Sequence, residues 1–504
     1  MNRLLKNLVK LIPVSILLLI IFTLTVCSRK PSEQDILARI DDRVITVKEF
    51  RERAELTPRQ PYCSSNTDKD KNIILNTLIV EKILALESQN DDLIKNNKSY
   101  LAYLKGRKEQ FMREILYYEE AYNRVKLDTA EILNAYELAG REYKVEFYAL
   151  DSLYMKKLQT RFDKYPANKA QIFDEISLTQ KPPVKNIAWK DQDSPFKIHK
   201  ALFSAPLKIN DVIGPVHVDY NNYLVIKIVD SKNSKPLGGN QSQQRWLDVV
   251  HKLRNQKADK IWTEYTGQLM SGKKIEFVKG SYIKVFKLFE NWLSQTQKQQ
   301  SKSEYFTKDI EDKNFRLDFN DESFLASSFC SIDDLVWTVG DFKDALLSHP
   351  LVLRKQEINS REELAEQFKL AVADLIKDHF ITRQAYNSSI DKRQDVKRHV
   401  EKWQDAFLAV YHRDKFIHQV SQRDDFDQNK LKGSNSYFDV CLDSLKRVYD
   451  DKIEIDMEQF KKIKITAVPM FVVRANLPYK IPTPAFPLLT DRDTLDYTHI
   501  LYSQ

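Results

Sequence analysis

Leu37-Ala38-Arg39-Ile40-Asp41-Asp42-Arg43-Val44-Ile45-Thr46-Val47-Lys48-Glu49-Phe50 is the stretch from which the fold of this chain is read. Leu37 to Ile40 and Val44 to Thr46 are short apolar runs separated by Asp41-Asp42-Arg43, the pattern of a small hairpin running straight into a helix. The helix start is written locally. Thr46 can cap it, and Glu49, three residues on, can reach back to the cap's N–H and close a capping box. The same device recurs at 333–342, where DDLVWTVGDF repeats DDRVITVKEF with identity at six of ten positions. Thr338 and Asp341 take the places of Thr46 and Glu49. Such agreement within one chain predicts an internal duplication.

The segments behind the two copies agree in order. After the first come a polar loop at 57–70, an amphipathic helix at 72–89 with Leu75, Leu78, Ile79, Ile83 and Leu86 on one face, and a second helix at 98–124. After the second come a loop at 349–359 and helices at 361–387 and 391–416. Asp128 caps a further helix that ends at Gly140. Between the copies the periodicity changes. Residues 143–150 alternate like a strand, 152–176 are helical, 181–193 read as a proline-containing loop around Trp189, and 195–203 form a short helix. Two apolar strands at 211–218 and 222–230 complete a β-α-α-β-β unit. A helix at 241–269 followed by a strand at 273–277 is echoed by a helix at 437–449 and a strand at 452–456. From Pro478 the tail, with four prolines up to Pro487, is expected to be extended or mobile.

Composition narrows the function. A chain of 504 residues should hold more than one domain, and 42% hydrophobic residues suffice for real cores. Ten glycines argue against a Gly-rich phosphate loop and favour long helices, so neither a nucleotide nor any other cofactor is expected. The net charge of +8 falls to +5 without Arg3, Lys6 and Lys10, and the remaining charges are interspersed, which speaks against nucleic-acid binding. Those three cations precede an apolar run at 11–24, the pattern of an export signal. Leu24-Thr25-Val26-Cys27 then resembles the lipobox of bacterial lipoproteins, with Val26 where Gly, Ala or Ser is usual, and Cys27 as the lipidated residue. An uncleaved membrane anchor is the alternative, and both place the rest of the chain outside the cytoplasmic membrane. Cys63, Cys330 and Cys441 show no CxxC spacing; either one pair forms a disulfide or all are buried free thiols. His199 and His217 are not spaced as metal ligands, and no metal site is expected.

With these elements in order, the chain resembles the SurA, PrsA and PpiD family of exported folding factors. Their helical chaperone module opens with v-A-x-V-x-x-x-x-I-T-x-x-E-F, which here is Ala38, Ile40, Ile45, Thr46, Glu49 and Phe50. The run from Leu78 to Glu87 is similar to the family's L-I-x-x-x-L-L-x-x-E. A parvulin prolyl-isomerase domain is inserted after those helices, and Lys185-Asn186-Ile187-Ala188-Trp189, Ser194-Pro195-Phe196, Ile213-Gly214-Pro215-Val216 and Asn222-Tyr223-Leu224-Val225-Ile226 stand at its motifs. The two pocket histidines of parvulins fall here on Phe147 and Leu224, and no histidine precedes His199. Phe196 of the apolar wall is retained, whereas the wall position four residues earlier is Gln192. The amide barrier of roughly 18–20 kcal/mol is lowered by polarising and twisting the bond in such a pocket.

The resemblance therefore implies an α+β architecture, with duplicated helical SurA-like chaperone modules and an inserted, degenerate parvulin-like domain. Its expected boundaries are 1–27 for the signal or anchor, 28–142 for the first module, 143–232 for the parvulin-like domain, 233–326 for a helical connector, 327–420 for the second module and 421–504 for a C-terminal helix, strand and proline-rich tail. It implies a membrane-anchored periplasmic chaperone of the bacterial cell envelope, whose partners are unfolded or nascent exported polypeptides and the membrane. No catalytic residue is assigned. An active isomerase with an altered pocket and a scaffolding lipoprotein are the alternatives.

Overall fold

In the computed structural model of this chain, the residues described are 35–177, 181–191, 196–219, 222–236, 238–299, 315, 321–333, 335–355, 358, 360–422, 436–474 and 476–501. The export segment with Cys27, Gln192 and the side chain of Phe196 lie outside this description. The fold is α+β and divides into two units, Met1–Ile115 with Met270–Gln504, and Leu116–Leu269.

The first unit begins with the hairpin. Strands β1 (Ile36–Ile40) and β2 (Arg43–Thr46) pair antiparallel, Ala38 opposite Ile45 and Ile40 opposite Arg43, with a bulge between Ile36 and Ala38. Asp41 makes the turn at φ 52°, a left-handed conformation that a short polar side chain tolerates. Thr46 caps helix α1 (Val47–Glu55) by accepting from the Glu49 amide at 3.0 Å. The reciprocal half of the expected capping box does not form. Glu49 instead accepts from Lys82 Nζ at 2.8 Å, because a charge-assisted bond to a buried ammonium outcompetes one to a neutral amide. Helix α2 (Asp68–Ser88) carries its own capping box, Thr67 with Asp70, and α3 (Lys98–Glu120) follows. The expected single apolar face of α2 is a correction: Asn76, Thr77, Glu81 and Lys82 are buried along with its leucines and isoleucines.

The second unit is built on one sheet. Asp128 caps α4 (Thr129–Leu138), after which β3 (Arg141–Leu150), α5 (Ser152–Lys164), α6 (Lys169–Ser177), β4 (Val184–Ala188), α7 (Phe196–Phe203), β5 (Val212–Asp219), β6 (Asn222–Asn233) and α8 (Gly239–Leu269) follow. The strands are all antiparallel in the order β4-β3-β6-β5. β4 lies where the sequence predicts only loop. It pairs with the first half of β3, from Glu142 opposite Ala188 to Glu146 opposite Val184, and only Ile187 of its side chains is buried. So exposed an edge strand carries little apolar alternation, and Pro182 and Pro183 sit just before it, outside the ladder. Both sheet faces are covered. Tyr148 and Val225 pack with Leu158, Phe162, Ile172 and Phe173 of α5 and α6. Tyr143, Val145, Ile226 and Ile228 pack with Ile198, Leu202 and Phe203 of α7, Leu138 of α4 and Val249 of α8.

The chain returns to the first unit through β7 (Ile275–Phe277) and α9 (Lys279–Gln299). This helix, within the expected helical connector 233–326, places Val285, Phe286 and Phe289 in the core beside Phe329, Phe342 and Phe368. Strands β8 (Ser328–Ile332) and β9 (Leu335–Thr338) form the second hairpin, Cys330 opposite Trp337 and Ile332 opposite Leu335, with a bulge between Ser328 and Cys330. Asp333 sits at φ 53°. Thr338 and Asp341 make a complete capping box at the start of α10 (Val339–Ser348). Then come α11 (Arg361–Asn387), α12 (Gln394–Ser421), α13 (Ser436–Tyr449), β10 (Ile453–Asp456), α14 (Met457–Lys462) and β11 (His499–Leu501).

Each hairpin gains a third strand from elsewhere in the chain. β7 pairs with β8, Ile275 opposite Ile332 and Phe277 opposite Cys330, in the sheet β7-β8-β9. β10 pairs with β1, Ile453 opposite Ile40 and Ile455 opposite Ala38, in the sheet β11-β10-β1-β2.

The C-terminal tail is extended but packed. Asn76 Nδ2 donates to the carbonyls of Arg492 and Thr494 at 2.9 and 2.8 Å, and Tyr497 Oη donates to Asn76 Oδ1 at 2.8 Å. Gln110 exchanges two bonds with the Tyr479 backbone, and Arg107 lies 3.5 Å above the centre of the Trp403 ring while donating to the Ile481 carbonyl at 2.7 Å. This covering explains why polar positions of α2 are buried. Its charges are matched: Arg53 makes a bidentate pair with Glu81 at 2.8 and 2.6 Å, both side chains fully buried. Lys82 bridges Glu49 and Asp405, Arg43 reaches Asp405 at 3.1 Å, and Lys402 meets Glu52 at 2.7 Å. Burial alone would lower the Lys82 ammonium, but Glu49 and Asp405 outweigh it and hold its pKa above the usual value. Cys63, Cys330 and Cys441 are free thiols, and burial pushes Cys63 and Cys330 up to about 11, far from nucleophilic character at neutral pH.

Candidate functional site

Phe147 stands on β3 opposite Ile226, and Leu224 on β6 opposite Ala149 on one side and Val216 on the other. Both are half-buried and pack, with Ile213, Val216 and Val218, against the cluster of Tyr143, Val145, Ile198 and Leu202. The two positions thus share one apolar sheet face, and neither offers a proton or a hydrogen bond to an amide. Gly214 brings β5 close to β6. At φ +100° it lies where a Cβ would stand 2.5 Å from the Leu224 carbonyl oxygen, a place only glycine fills. At the exposed rim, Lys197 Nζ lies 2.7 Å from His217 Nδ1, and the His217 ring is 5.0 Å from Tyr223. Such an arrangement can hold an apolar side chain against the sheet, but among its described residues Phe147 and Leu224 supply no polar group with which to polarise a bond.

Beside this face lies a buried polar cluster. His199 on α7 and Lys252 on α8 both point at the Trp189 carbonyl, His199 Nε2 at 3.0 Å and Lys252 Nζ at 2.5 Å. The Trp189 ring stands edge-on to His199 at 4.7 Å and to Phe203 at 5.6 Å. Burial pushes His199 down to about 4, with the Lys252 charge adding to it, and burial pushes Lys252 down to about 8. His199 is therefore neutral at pH 7, with the proton on Nε2 inferred from its carbonyl acceptor. The cluster locks α7 and α8 to the end of β4. Lys252 follows the buried Val249 by three residues, one helical turn, which is the signal that marks it in the sequence.

A pH dependence follows. An unfolded His199 binds its proton near 6.5 and the folded one near 4, so the unfolded state takes up more protons between these values. The stabilisation is complete above about pH 6.5 and is lost as the pH falls toward 4. In urea titrations across that window, His199→Phe should have a shallower loss of midpoint than the native chain. Equal slopes would refute it.

A second surface on this unit is aromatic. Tyr122, Tyr118, Tyr117, Trp262 and Tyr265 form a continuous ladder, with ring centroids 5.2, 5.7, 5.5 and 5.3 Å apart in that order. Tyr118 is 44% exposed and the other four are half-buried, while Tyr117 Oη donates to Asp259 at 3.1 Å. From sequence alone most of the many helical Tyr and Phe read as core while some could line a cradle for unfolded chains, and the two groups are not separable there. The exposure of this ladder becomes visible only once the ends of α3 and α8 are placed together.

Among the described residues no group of His, Cys, Asp and Glu side chains could hold a metal ion, and no helix is long and apolar enough to cross a membrane. No family model matches the chain. No curated protein matches it significantly. Among solved structures it is similar, at low TM-scores, to the foldase protein PrsA from Streptococcus pneumoniae (14% identity, 43% of this chain and 85% of that one, TM-score 0.18). It is also similar to PrsA from Bacillus subtilis (18% identity, 46% and 93%, TM-score 0.15) and to the peptidylprolyl isomerase PrsA from Bacillus cereus (12% identity, 56% and 97%, TM-score 0.18).

Proposed function

We propose that this chain is a chaperone of the bacterial envelope that binds non-native exported polypeptides, with prolyl isomerase activity weak or lost. The observation that carries the reading is the ladder of partly exposed aromatic rings from Tyr122 to Tyr265, which offers apolar area to any unfolded segment without a shaped pocket. The parvulin-like positions support the second half of the reading, because Phe147 and Leu224 supply packing instead of polar groups. In this reading the two hairpins, with their shared bulge, left-handed aspartate and threonine cap, open two related helical modules. The unit between them is a degenerate parvulin, and Cys27 carries a lipid that holds the chain on the periplasmic side of the membrane.

Two assays on the full chain test it. It should suppress light scattering by an unfolded client while leaving the isomerisation of a proline peptide near its spontaneous rate. Tyr118→Ser with Tyr265→Ser should weaken the suppression severalfold without lowering the melting temperature. Unchanged suppression would remove the ladder from the mechanism, and strong isomerase activity would replace the chaperone reading with the enzyme.

A further inference from the structure

The segment that follows α14 has a composition found nowhere else in the described chain. From Gln459 to Thr490 there is no acidic residue, while Lys461, Lys462, Lys464, Arg474 and Lys480 are all exposed. Between these cations lies Val468-Pro469-Met470-Phe471-Val472-Val473, in which Val468 is 75%, Met470 59%, Phe471 61% and Val473 50% exposed. So many large apolar side chains held in water in succession are costly unless something covers them. The loop is pinned in this form. The Met470 amide donates to the Glu55 carbonyl at 2.7 Å, and the Arg474 amide donates to the Lys480 carbonyl at 2.8 Å. Arg474 pairs with Glu114, and Lys462 pairs with Glu458 at 3.6 Å. Ile463 and Ile465 point the other way, into the core, so the segment is anchored on one side and apolar on the other.

We propose that this loop inserts into the interface of an anionic lipid bilayer. An apolar tip rimmed by cations fits a membrane surface on both counts. Valine, methionine and phenylalanine side chains reach the acyl boundary, and lysine and arginine remain among the phosphate headgroups. A protein partner would match the apolar tip equally, but it would need its own acidic groups placed to match Lys464 and Lys480; a bilayer containing acidic lipid presents that charge everywhere. The proposal stands apart from the chaperone reading, since it uses none of the aromatic ladder, and it does not require lipidation of Cys27.

The test places the photoreactive phenylalanine analogue p-benzoylphenylalanine at position 471 in the full chain. The purified protein is mixed with vesicles of phosphatidylcholine containing about one third phosphatidylglycerol, or with phosphatidylcholine alone, and irradiated. A lipid adduct should form with the anionic vesicles and be far weaker with the neutral ones. The same analogue at Tyr154, an exposed position on the other unit, serves as the control and should give little adduct. Lys464→Gln with Lys480→Gln should weaken vesicle binding by about 25-fold, from the roughly fivefold that each surface cation contributes. No lipid adduct at 471, or one equal to that at 154, overturns the proposal. A cross-link to a second copy of the chain in place of lipid overturns it as well, in favour of self-association through the loop.

Discussion

Replacing Glu81 by alanine should lower the unfolding free energy of the first unit by about 3–5 kcal/mol, the cost of leaving a buried charge without its partner. Arg53 is fully buried and spends two guanidinium nitrogens on Glu81, one of which also donates to the Ala485 carbonyl. Its charge cannot be relieved by deprotonation, because a guanidinium stays protonated in a protein even when its partner is removed. The loss should show as a lower urea midpoint. The double variant Arg53→Met with Glu81→Leu should recover to within about 1–2 kcal/mol of the native chain, since a well-packed apolar pair replaces a buried ion pair at little cost. If Glu81→Ala cost less than about 1 kcal/mol, a value typical of surface pairs, water would have to reach the site and the packing described around α2 would be wrong.

Removing everything after Asn476 should have the larger effect. Tyr479, Phe486, Leu489 and Tyr497 are all buried, and at about 1.5–3 kcal/mol each their removal sacrifices on the order of 6–12 kcal/mol. Domains of this kind are stable by roughly 5–15 kcal/mol in total. The truncated chain should therefore lose the cooperative unfolding transition of its first unit, and α2 should become a site of protease cleavage. A truncated chain that melts like the native one would show the tail to be a passive cover.

What was legible in the sequence was what is encoded by neighbours. The hairpins at Leu37–Thr46 and Ser328–Thr338, their threonine caps and the long helices behind them depend on contacts within a few residues, and turn, cap and period signals report such contacts well. Glu49 marks the limit of that logic. Its spacing from Thr46 fits a capping box, yet its carboxylate is claimed by Lys82, thirty-three positions away. The packing of the extended tail escapes the sequence for the same reason. Prolines and polar residues from Pro478 onward look unstructured until Asn76, Thr77 and Gln110 supply partners from distant helices. In the candidate site, Phe147 and Leu224 are located by the resemblance to parvulin motifs, but Lys252 could not be joined to His199 without knowing that α8 passes the end of β4.

The crossed third strands bear on how the chain comes into being. A polypeptide is synthesised N-terminus first, so β1 is made long before β10, its neighbour in the sheet. During that interval the edge of β1 opposite β2 has no mate, and an unmated strand edge is a template for wrong pairing. β8 has no such wait, because β7 precedes it in the chain. The strand that is made first is thus among the last to be fully paired, and until the C-terminal segment arrives the sheet around β1 stays open on one side.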